Sequence, residues 1–198
     1  MSIIKIEKKI IKFNKNLTIS GDKSLSIRWA LLASQSPYKS KSYNLLTSED
    51  VIDTLKCLKK LGVKIKLTKK ICEIYGVGLN GFKYKKKLSL YAGNSGTLGR
   101  LIMGLLVHCK SNIRLKGDKS LSKRDFFRVT DPLRKFGVNI KMKKNSLPIE
   151  IIGSEYLKPI NYFESRGSAQ CKSAVMLAAL NTPGITRIKA TKSRDHTE

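Results

Sequence analysis

The stretch Gly-Asp-Lys-Ser-Leu-Ser-Ile-Arg at residues 21–28 decides the fold, because the chain contains it twice. Residues 117–124 read Gly-Asp-Lys-Ser-Leu-Ser-Lys-Arg and match the first copy at seven of eight positions. A second pair of similar segments follows in the same order, at residues 58–66 (LKKLGVKIK) and residues 133–141 (LRKFGVNIK). Chance similarity in a lysine-rich chain would not preserve this order, so the sequence is built from a repeated unit.

The hydrophobic pattern predicts one succession for each unit: strand, helix, strand, helix and a pair of strands. For the first unit we expect strands at residues 17–20, 42–46, 63–67 and 71–75, with helices at 23–34 and 48–62. For the second we expect strands at residues 88–91, 112–116, 138–142 and 148–152, with helices at 97–108 and 125–136. For the third we expect strands from residue 160 and at 185–190, with a helix at 168–180. The result is a mixed α/β fold of βαβαββ units at residues 17–86, 87–157 and 158–198, the last one truncated.

The sequence makes a further prediction about each of three helices. The first helix carries apolar residues at helical spacing, namely Leu25, Trp29, Leu32 and Ala33. The second is predicted to be capped by Ser48 or Asp50 and closed by Gly62, with an apolar stripe of Val51, Leu55, Leu58 and Leu61. In the helix at 125–136, Pro132 must fall in the first turns or break the helix.

The last six residues, Ser-Arg-Asp-His-Thr-Glu at 193–198, read like the N-cap and first turn of another helix. A domain is not expected to stop at such a point. We therefore expect the chain to be a fragment.

The net charge of +26 raises the possibility of a nucleic-acid partner. Only nine of the 40 basic residues are Arg, and the lysines spread from Lys5 to Lys192 instead of gathering in one tail. No aromatic residues are interleaved with them as a stacking platform. Composition therefore argues against nucleic-acid binding, although a non-enzymatic anion- or RNA-binding protein stays an alternative. A salt titration of RNA binding would separate this alternative from a protein that binds a small anionic substrate.

Cysteine and histidine usage predicts neither disulfides nor a metal site. The four cysteines are far apart and form no Cys-x-x-Cys pair, and His108 and His196 are the only histidines. Reduced thiols in a cytoplasmic protein fit this usage. The first ten residues lack the apolar core of a signal peptide, and the longest strongly apolar run, residues 101–107, is too short to span a bilayer.

Glycine-containing turns open predicted helices at residues 21–24, 94–97 and 167–170. A helix N-terminus presents unpaired N–H groups and a positive dipole end, which suit phosphate or carboxylate. Lys23 and Arg28 add cations to the first turn, and Lys119 and Arg124 add them to the second copy of the motif. The same Ser and Gly residues are also ordinary capping residues. No Walker A, Gly-x-Ser-x-Gly or Gly-x-Gly-x-x-Gly pattern is present.

Five segments in this order resemble the 5-enolpyruvylshikimate-3-phosphate synthase family, especially its branch with Ser-Ala-Gln. They lie at residues 19–28, 93–100, 117–124, 168–174 and 193–198. The resemblance implies two similar domains, each made of three βαβαββ units around buried helices, with substrates in the cleft between them. The chain then corresponds to most of the first domain, and residues 1–16 to a strand that packs with the missing second domain.

The resemblance also implies a reaction. Members of this family are 3-phosphoshikimate 1-carboxyvinyltransferases of the shikimate pathway, which makes chorismate and the aromatic amino acids. They transfer the enolpyruvyl group of phosphoenolpyruvate to the 5-hydroxyl of shikimate-3-phosphate and release phosphate. They use no cofactor, act in the cytoplasm, are usually monomers and are the target of glyphosate. The acidic catalytic residues lie in the missing half, so we expect this chain to be inactive alone.

Site residues carry over from the family motifs as expectations. Lys23 is the catalytic candidate. The residues expected to bind shikimate-3-phosphate are Lys23, Ser24, Arg28, Ser168, Ala169, Gln170, Ser193 and Arg194. Those expected to bind phosphoenolpyruvate are Lys23, Asn94, Gly96, Arg124 and Gln170. Added bulk at Gly96 is one way in which the family escapes glyphosate.

The sequence departs from the family pattern at three positions. Asp22 stands where Ser is common, and Leu101 and Asp125 stand where Pro often follows an Arg. Asp125 also suits a helix N-cap. The sister family that uses UDP-N-acetylglucosamine is an alternative, but it has Asn after the first-site Lys and a reactive Cys in a mobile loop. Here Ser24 follows Lys23, and residues 116–125 contain no cysteine.

Overall fold

The computed structural model describes residues 5, 7, 11, 12, 14, 16, 17 and 19–191. Ser193 and Arg194, expected at the shikimate-3-phosphate site, lie outside the described residues, as does the helix start expected at 193–198. Most of the expected opening strand, residues 1–16, lies outside them too.

Five α-helices and one 3-10 helix form within the described part of the chain. The helices are α1 (Lys23–Gln35), α2 (Glu49–Lys60), α3 (Gly96–Leu105), α4 (Phe127–Lys135) and α5 (Ala169–Ala179), with the 3-10 helix at Leu121–Lys123. The nine strands are β1 (Lys39–Tyr43), β2 (Lys64–Leu67), β3 (Ile71–Tyr75), β4 (Leu88–Tyr91), β5 (Ile113–Lys116), β6 (Asn139–Lys143), β7 (Ser146–Ile152), β8 (Asn161–Glu164) and β9 (Arg187–Ala190). Both helices and strands alternate along the chain, which confirms the mixed α/β class.

The strands form three sheets, with orders β1-β3-β2, β4-β5-β7-β6 and β8-β9. Strand β4 runs parallel to β5, and β8 runs parallel to β9. Parallel neighbours need a crossover connection, which α3 and α5 provide. The other pairs are antiparallel, so each two-strand hairpin, β2-β3 and β6-β7, closes its sheet in the same way.

The helices form the interior, as the family resemblance implies. All ten residues of α3 are buried. A Cβ atom on Gly104 would lie 2.2 Å from the carbonyl oxygen of Ala174, so the backbones of α3 and α5 approach closely only because residue 104 is glycine. On α2 the predicted stripe is buried at Val51, Leu55 and Leu58. This packing brings the starts of α1, α3 and α5 to one end of the domain.

Helix α1 differs from the expected amphipathic helix because it has two apolar faces. Its core face includes Ile27, Ala30 and Leu31, whereas Leu25 and Leu32 are 57% and 53% exposed. Of the four predicted apolar positions only Ala33 is fully in the core, so their helical spacing did not identify the buried face. The outward face borders a groove described below.

Two strand predictions are wrong. At the described positions 17, 19 and 20 the chain forms no strand; one hydrogen bond, from the Asn44 side-chain amide to the Ile19 carbonyl at 3.0 Å, joins it to the sheet edge. The strand expected at 42–46 is β1, which ends at residue 43. Asn44 has φ 58°, a left-handed conformation that Asn tolerates and that ends the strand.

Around the second motif, the expected helix at 125–136 is shorter. Helix α4 begins at Phe127, and Pro132 lies in its second turn. The Asp125 carboxylate accepts a hydrogen bond from the Phe127 N–H at 2.8 Å. Asp125 therefore supports the start of α4 without being its N-cap residue.

Candidate functional site at three helix N-termini

Helices α1, α3 and α5 begin around one polar cavity of about 320 Å³. Its lining residues are Lys23, Asp50, Asn94, Gly96, Thr97, Arg124 and Gln170. Lys23 and Gly96 are the first residues of α1 and α3, and Gln170 is the second of α5. Three positive helix ends and two cationic side chains therefore border one space, an arrangement that suits an anion.

The turn residues before these helices are occupied as N-caps. The Asp22 carboxylate accepts from the Leu25 N–H at 2.7 Å, Ser95 Oγ from Leu98 N–H at 3.2 Å, and Ser168 Oγ from Cys171 N–H at 3.3 Å. These bonds fix where each helix begins and therefore where the next residues, including Lys23 and Gly96, lie.

All five residues expected to bind phosphoenolpyruvate line this cavity. Among the described residues, those expected only at the shikimate-3-phosphate site do not: Ser24 is half-buried, Ala169 is buried, Ser168 caps α5 and Arg28 lines a different cavity. Their contacts with substrate stay predictions.

Lys23 is paired across the cavity. Its ammonium Nζ lies 3.0 Å from Oδ2 of Asp50, in the first turn of α2. The Lys23 side chain is about half exposed, and Asp50 is mostly covered. Sequence reasoning treated Asp50 only as a possible cap, because nothing in the spacing of residues 23 and 50 signals the contact.

Gly96 leaves room for two guanidinium groups. A Cβ atom at position 96 would lie 2.7 Å from Arg100 Nη1 and 3.1 Å from Arg124 Nη1. Arg124 Nη2 donates a hydrogen bond to Asn94 Oδ1 at 3.2 Å. The side of the cavity formed by Asn94, Gly96 and Arg124 is thus open because residue 96 has no side chain.

The Gln170 side chain is held at both ends. Its Nε2 donates to Thr97 Oγ1 at 3.1 Å, and its Oε1 accepts from Arg100 Nη1 at 2.9 Å. Thr97 and Arg100 were absent from the expected site. A sequence signal did exist for Arg100, since it is the one charged residue in the otherwise uncharged stretch of α3, Gly96–Leu105.

Arg28 lies in a second, mainly apolar groove of about 520 Å³ between α1 and α5. Its Nη1 donates to Ser173 Oγ at 2.5 Å, while Nε and Nη2 are buried without a partner among the described residues. Burial lowers the pKa of the Arg28 guanidinium from its ordinary value. Lys23 and Arg28 therefore face separate cavities of this chain, although they are close in sequence.

The described residues offer neither a metal site nor a membrane-spanning helix. No group of three or more His, Cys, Asp or Glu side chains is placed to hold a metal ion in that part of the chain. None of the helices formed there is long and apolar enough to cross a membrane.

Comparison with known proteins gives one family. The family model described as EPSP synthase (3-phosphoshikimate 1-carboxyvinyltransferase) matches residues 8–198. A 3-phosphoshikimate 1-carboxyvinyltransferase from Vesicomyosocius okutanii is 46% identical over 184 residues, 92% of this chain and 42% of that protein. The protein of the same name from Streptococcus mutans is 43% identical over 185 residues, 92% of this chain and 43% of that protein.

A solved structure is also similar. EPSP synthase from Acinetobacter baumannii superposes with a TM-score of 0.85 at 37% identity, covering 91% of this chain and 41% of that one. The chain spans about 42% of the length of the curated relatives it matches. Since the family model matches nearly the whole chain, the chain belongs to the EPSP synthase family.

Proposed function

We propose that the protein containing this chain transfers the enolpyruvyl group of phosphoenolpyruvate to the 5-hydroxyl of shikimate-3-phosphate and releases phosphate. This chain contributes the N-terminal part of the active site. The observation that carries the proposal is the polar cavity, in which Lys23, Asn94, Gly96, Arg124 and Gln170 meet at three helix N-termini. Both substrates are polyanions, so a site that joins them needs concentrated positive charge.

Within this scheme, Lys23 and Arg124 offset the charge of phosphoenolpyruvate, and Gly96 lets its anionic groups approach the start of α3. The reaction adds the 5-hydroxyl oxygen to C2 of phosphoenolpyruvate as the hydroxyl loses its proton and C3 takes one up. Phosphate then leaves C2 of the tetrahedral intermediate while C3 gives up a proton, which restores the double bond. The Lys23 ammonium is the group of this chain that can donate a proton in the cavity. The remaining proton transfers belong to the rest of the protein.

Shikimate-3-phosphate is assigned to Lys23, Ser24, Arg28, Ser168, Ala169, Gln170, Ser193 and Arg194. The two unpartnered buried nitrogens of Arg28 support this assignment, because a buried donor without an acceptor is costly and an anion would satisfy it. Gln170 is assigned to both substrates, and its position in the lining of the polar cavity at the start of α5 supports this assignment.

The rest of the protein is the partner that the fold requires. The groove between α1 and α5 is lined on its open side by Leu25, Leu32, Met176 and Leu180, which are 46–57% exposed. Among the described residues, helix α2 packs against α1, and helix α4 packs against α5. We assign the groove to an amphipathic helix from the part of the relatives' length that this chain does not cover. In this proposal the helix completes the third unit, which begins at residues 158–198 and follows the units at 17–86 and 87–157. Residues 1–16 are assigned to the second domain.

The four cysteines, all buried and unpaired, support a cytoplasmic location in this proposal. Their reduced state requires no oxidising compartment.

The test is phosphate release by the product of the full reading frame that contains this chain. Release that requires both phosphoenolpyruvate and shikimate-3-phosphate supports the proposal. Release with UDP-N-acetylglucosamine in place of shikimate-3-phosphate would assign the protein to the sister activity. No release, together with steeply salt-dependent RNA binding that ignores shikimate-3-phosphate, would favour a nucleic-acid binder.

A further inference from the structure

Arg100 is a buried cation without a carboxylate partner among the described residues. It is 9% exposed in α3, every residue of which is buried. Burial lowers the pKa of its guanidinium from the ordinary value. Charged side chains are rarely buried in this way unless all their donors are used. Because burying this charge costs free energy, we expect Arg100 to have a function in the protein.

The acceptors of Arg100 come from three separate segments that border the polar cavity. Nη1 donates to the Gly96 carbonyl at 3.3 Å and to Gln170 Oε1 at 2.9 Å, and Nη2 donates to the Asp125 carbonyl at 3.2 Å. The guanidinium carbon also lies 5.0 Å from the centre of the Phe126 ring. One side chain thereby joins the start of α3, the start of α5 and the carbonyl of Asp125, the residue that follows Arg124.

All of these acceptors are neutral. A carboxylate partner would cancel the positive charge, whereas two carbonyls and a carboxamide satisfy the donors and leave the charge in place. Arg100 therefore orients Gly96 and Gln170 and also adds positive potential behind the cavity.

We propose that Arg100 is a positioning residue for the phosphoenolpyruvate side of the site, acting through Gln170, Gly96 and the backbone carbonyl of Asp125, the residue next to Arg124. The inference rests on the proposed function and extends it to a residue that is not among those lining the polar cavity. A planar fork is needed for this role, since the guanidinium presents donors on separate nitrogens to acceptors in separate segments, whereas a lysine ammonium carries its donors on a single nitrogen.

The experiment compares Arg100→Lys with Arg114→Lys in the full-length protein. Arg114 is exposed on β5 and outside the cavity, so it serves as the matched control. For Arg100→Lys we expect kcat/KM for phosphoenolpyruvate to fall about tenfold, the size of one lost charged hydrogen bond. The KM for shikimate-3-phosphate should change less than that for phosphoenolpyruvate, because of the three acceptors only Gln170 is also assigned to shikimate-3-phosphate, and Arg114→Lys should match the wild type.

A double-mutant cycle with Gln170→Ala separates positioning from simple stability. If Arg100 acts through Gln170, Arg100→Lys should cost clearly less in the Gln170→Ala background than in the wild type. Additive losses would overturn the inference, as would equal losses for both substrates or a lower melting temperature with unchanged kinetics.

Binding of inorganic phosphate, followed by phosphorus NMR titration, gives a readout independent of turnover. Weaker phosphate binding by Arg100→Lys than by Arg114→Lys supports the inference even if the reaction is a different one. Equal binding by the two variants contradicts it. A wild-type protein that binds phosphate but releases none from the two substrates overturns the proposed function alone.

Discussion

Lys23 and Asp50 form an ion pair across the polar cavity, with Nζ and Oδ2 3.0 Å apart. The pair links the first residue of α1 to the first turn of α2. The lysine that is expected to reach both substrates is thus partly neutralised by a carboxylate. An anion that enters the cavity must compete with Asp50 for this ammonium group.

Changing Asp50 to Asn should therefore separate binding from turnover. Because the competing charge is removed, we expect KM for phosphoenolpyruvate to fall by up to about fivefold, the ceiling for a partly exposed ion pair. We expect kcat to fall as well, since Lys23 loses the partner that orients it. Steady-state kinetics of the full-length protein would measure both.

The control is Asp131→Asn, which removes a carboxylate 3.2 Å from Lys135 on the surface of α4 and away from the cavity. It should leave both constants unchanged. A higher KM for phosphoenolpyruvate in Asp50→Asn would show that the carboxylate assists anion binding, contrary to this account.

Gly96→Ala tests the open side of the cavity. The new methyl group would lie 2.7 Å from Arg100 Nη1 and 3.1 Å from Arg124 Nη1, so both guanidinium groups must move. Crowding of this kind costs about 1–3 kcal/mol, which corresponds to a rise in KM for phosphoenolpyruvate of about tenfold or more. Inhibition by glyphosate should weaken in parallel, while KM for shikimate-3-phosphate changes little. If glyphosate inhibited the wild type and Gly96→Ala equally, the assignment of Gly96 to the phosphoenolpyruvate site would be wrong.

The apolar groove predicts a difference between the 198-residue chain and the full-length protein. Exposed Leu25 and Leu32 should make the chain alone bind a hydrophobic dye and aggregate on concentration. The double change Leu25→Ser and Leu32→Ser should lower the dye signal of the chain alone. Full-length protein should show little signal. Equal dye binding by the chain and the full-length protein would mean that no other segment covers the groove.

His108 predicts a loss of stability in mild acid. Burial lowers the pKa of its imidazole, and neither ring nitrogen has a hydrogen-bond partner among the described residues. The unfolded chain therefore takes up the proton more readily than the folded chain. The stability that neutral His108 contributes is fully present above the unfolded pKa, about 6.5, and is lost as the pH falls below it.

Urea unfolding at pH 7.5 and pH 5.5 measures this effect for the wild type and His108→Gln. Lys110 and Glu155 line the same small cavity and are present in both proteins, so the difference isolates the imidazole. The free energy of unfolding should fall more in the wild type. A fall of equal size in the variant would exclude His108 as the cause.

Much of the fold was predictable because its signals are local. Helical periodicity and glycine stops located α2, and alternation located the β2-β3 hairpin. The strand expected at residues 17–20 failed because a strand depends on a partner, and the short apolar run does not reveal whether the edge of β1 is available. The two apolar faces of α1 could not be ranked, since burial depends on which helices lie nearby.

The candidate site was predictable to a smaller degree. Motif resemblance selected Lys23, Asn94, Gly96, Arg124 and Gln170, and the helix starts explained why these residue types suit anions. Asp50 and Arg100 were missed because their contacts join residues far apart in the sequence, residue 23 to residue 50 within the first unit and residue 100 to residue 170 between the second and third. Spacing along the chain carries no information about such pairs.

Kinetics of Lys23→Ala in the full-length protein test the central claim most directly, with Lys69→Ala as control. Lys69 is exposed in the turn between β2 and β3 and does not border the cavity. Removing a cation and proton donor from the site should reduce phosphate release by about a hundredfold or more, whereas Lys69→Ala should match the wild type. Equal phosphate release by Lys23→Ala and the wild type would contradict the assignment of the three-helix cavity as the active site.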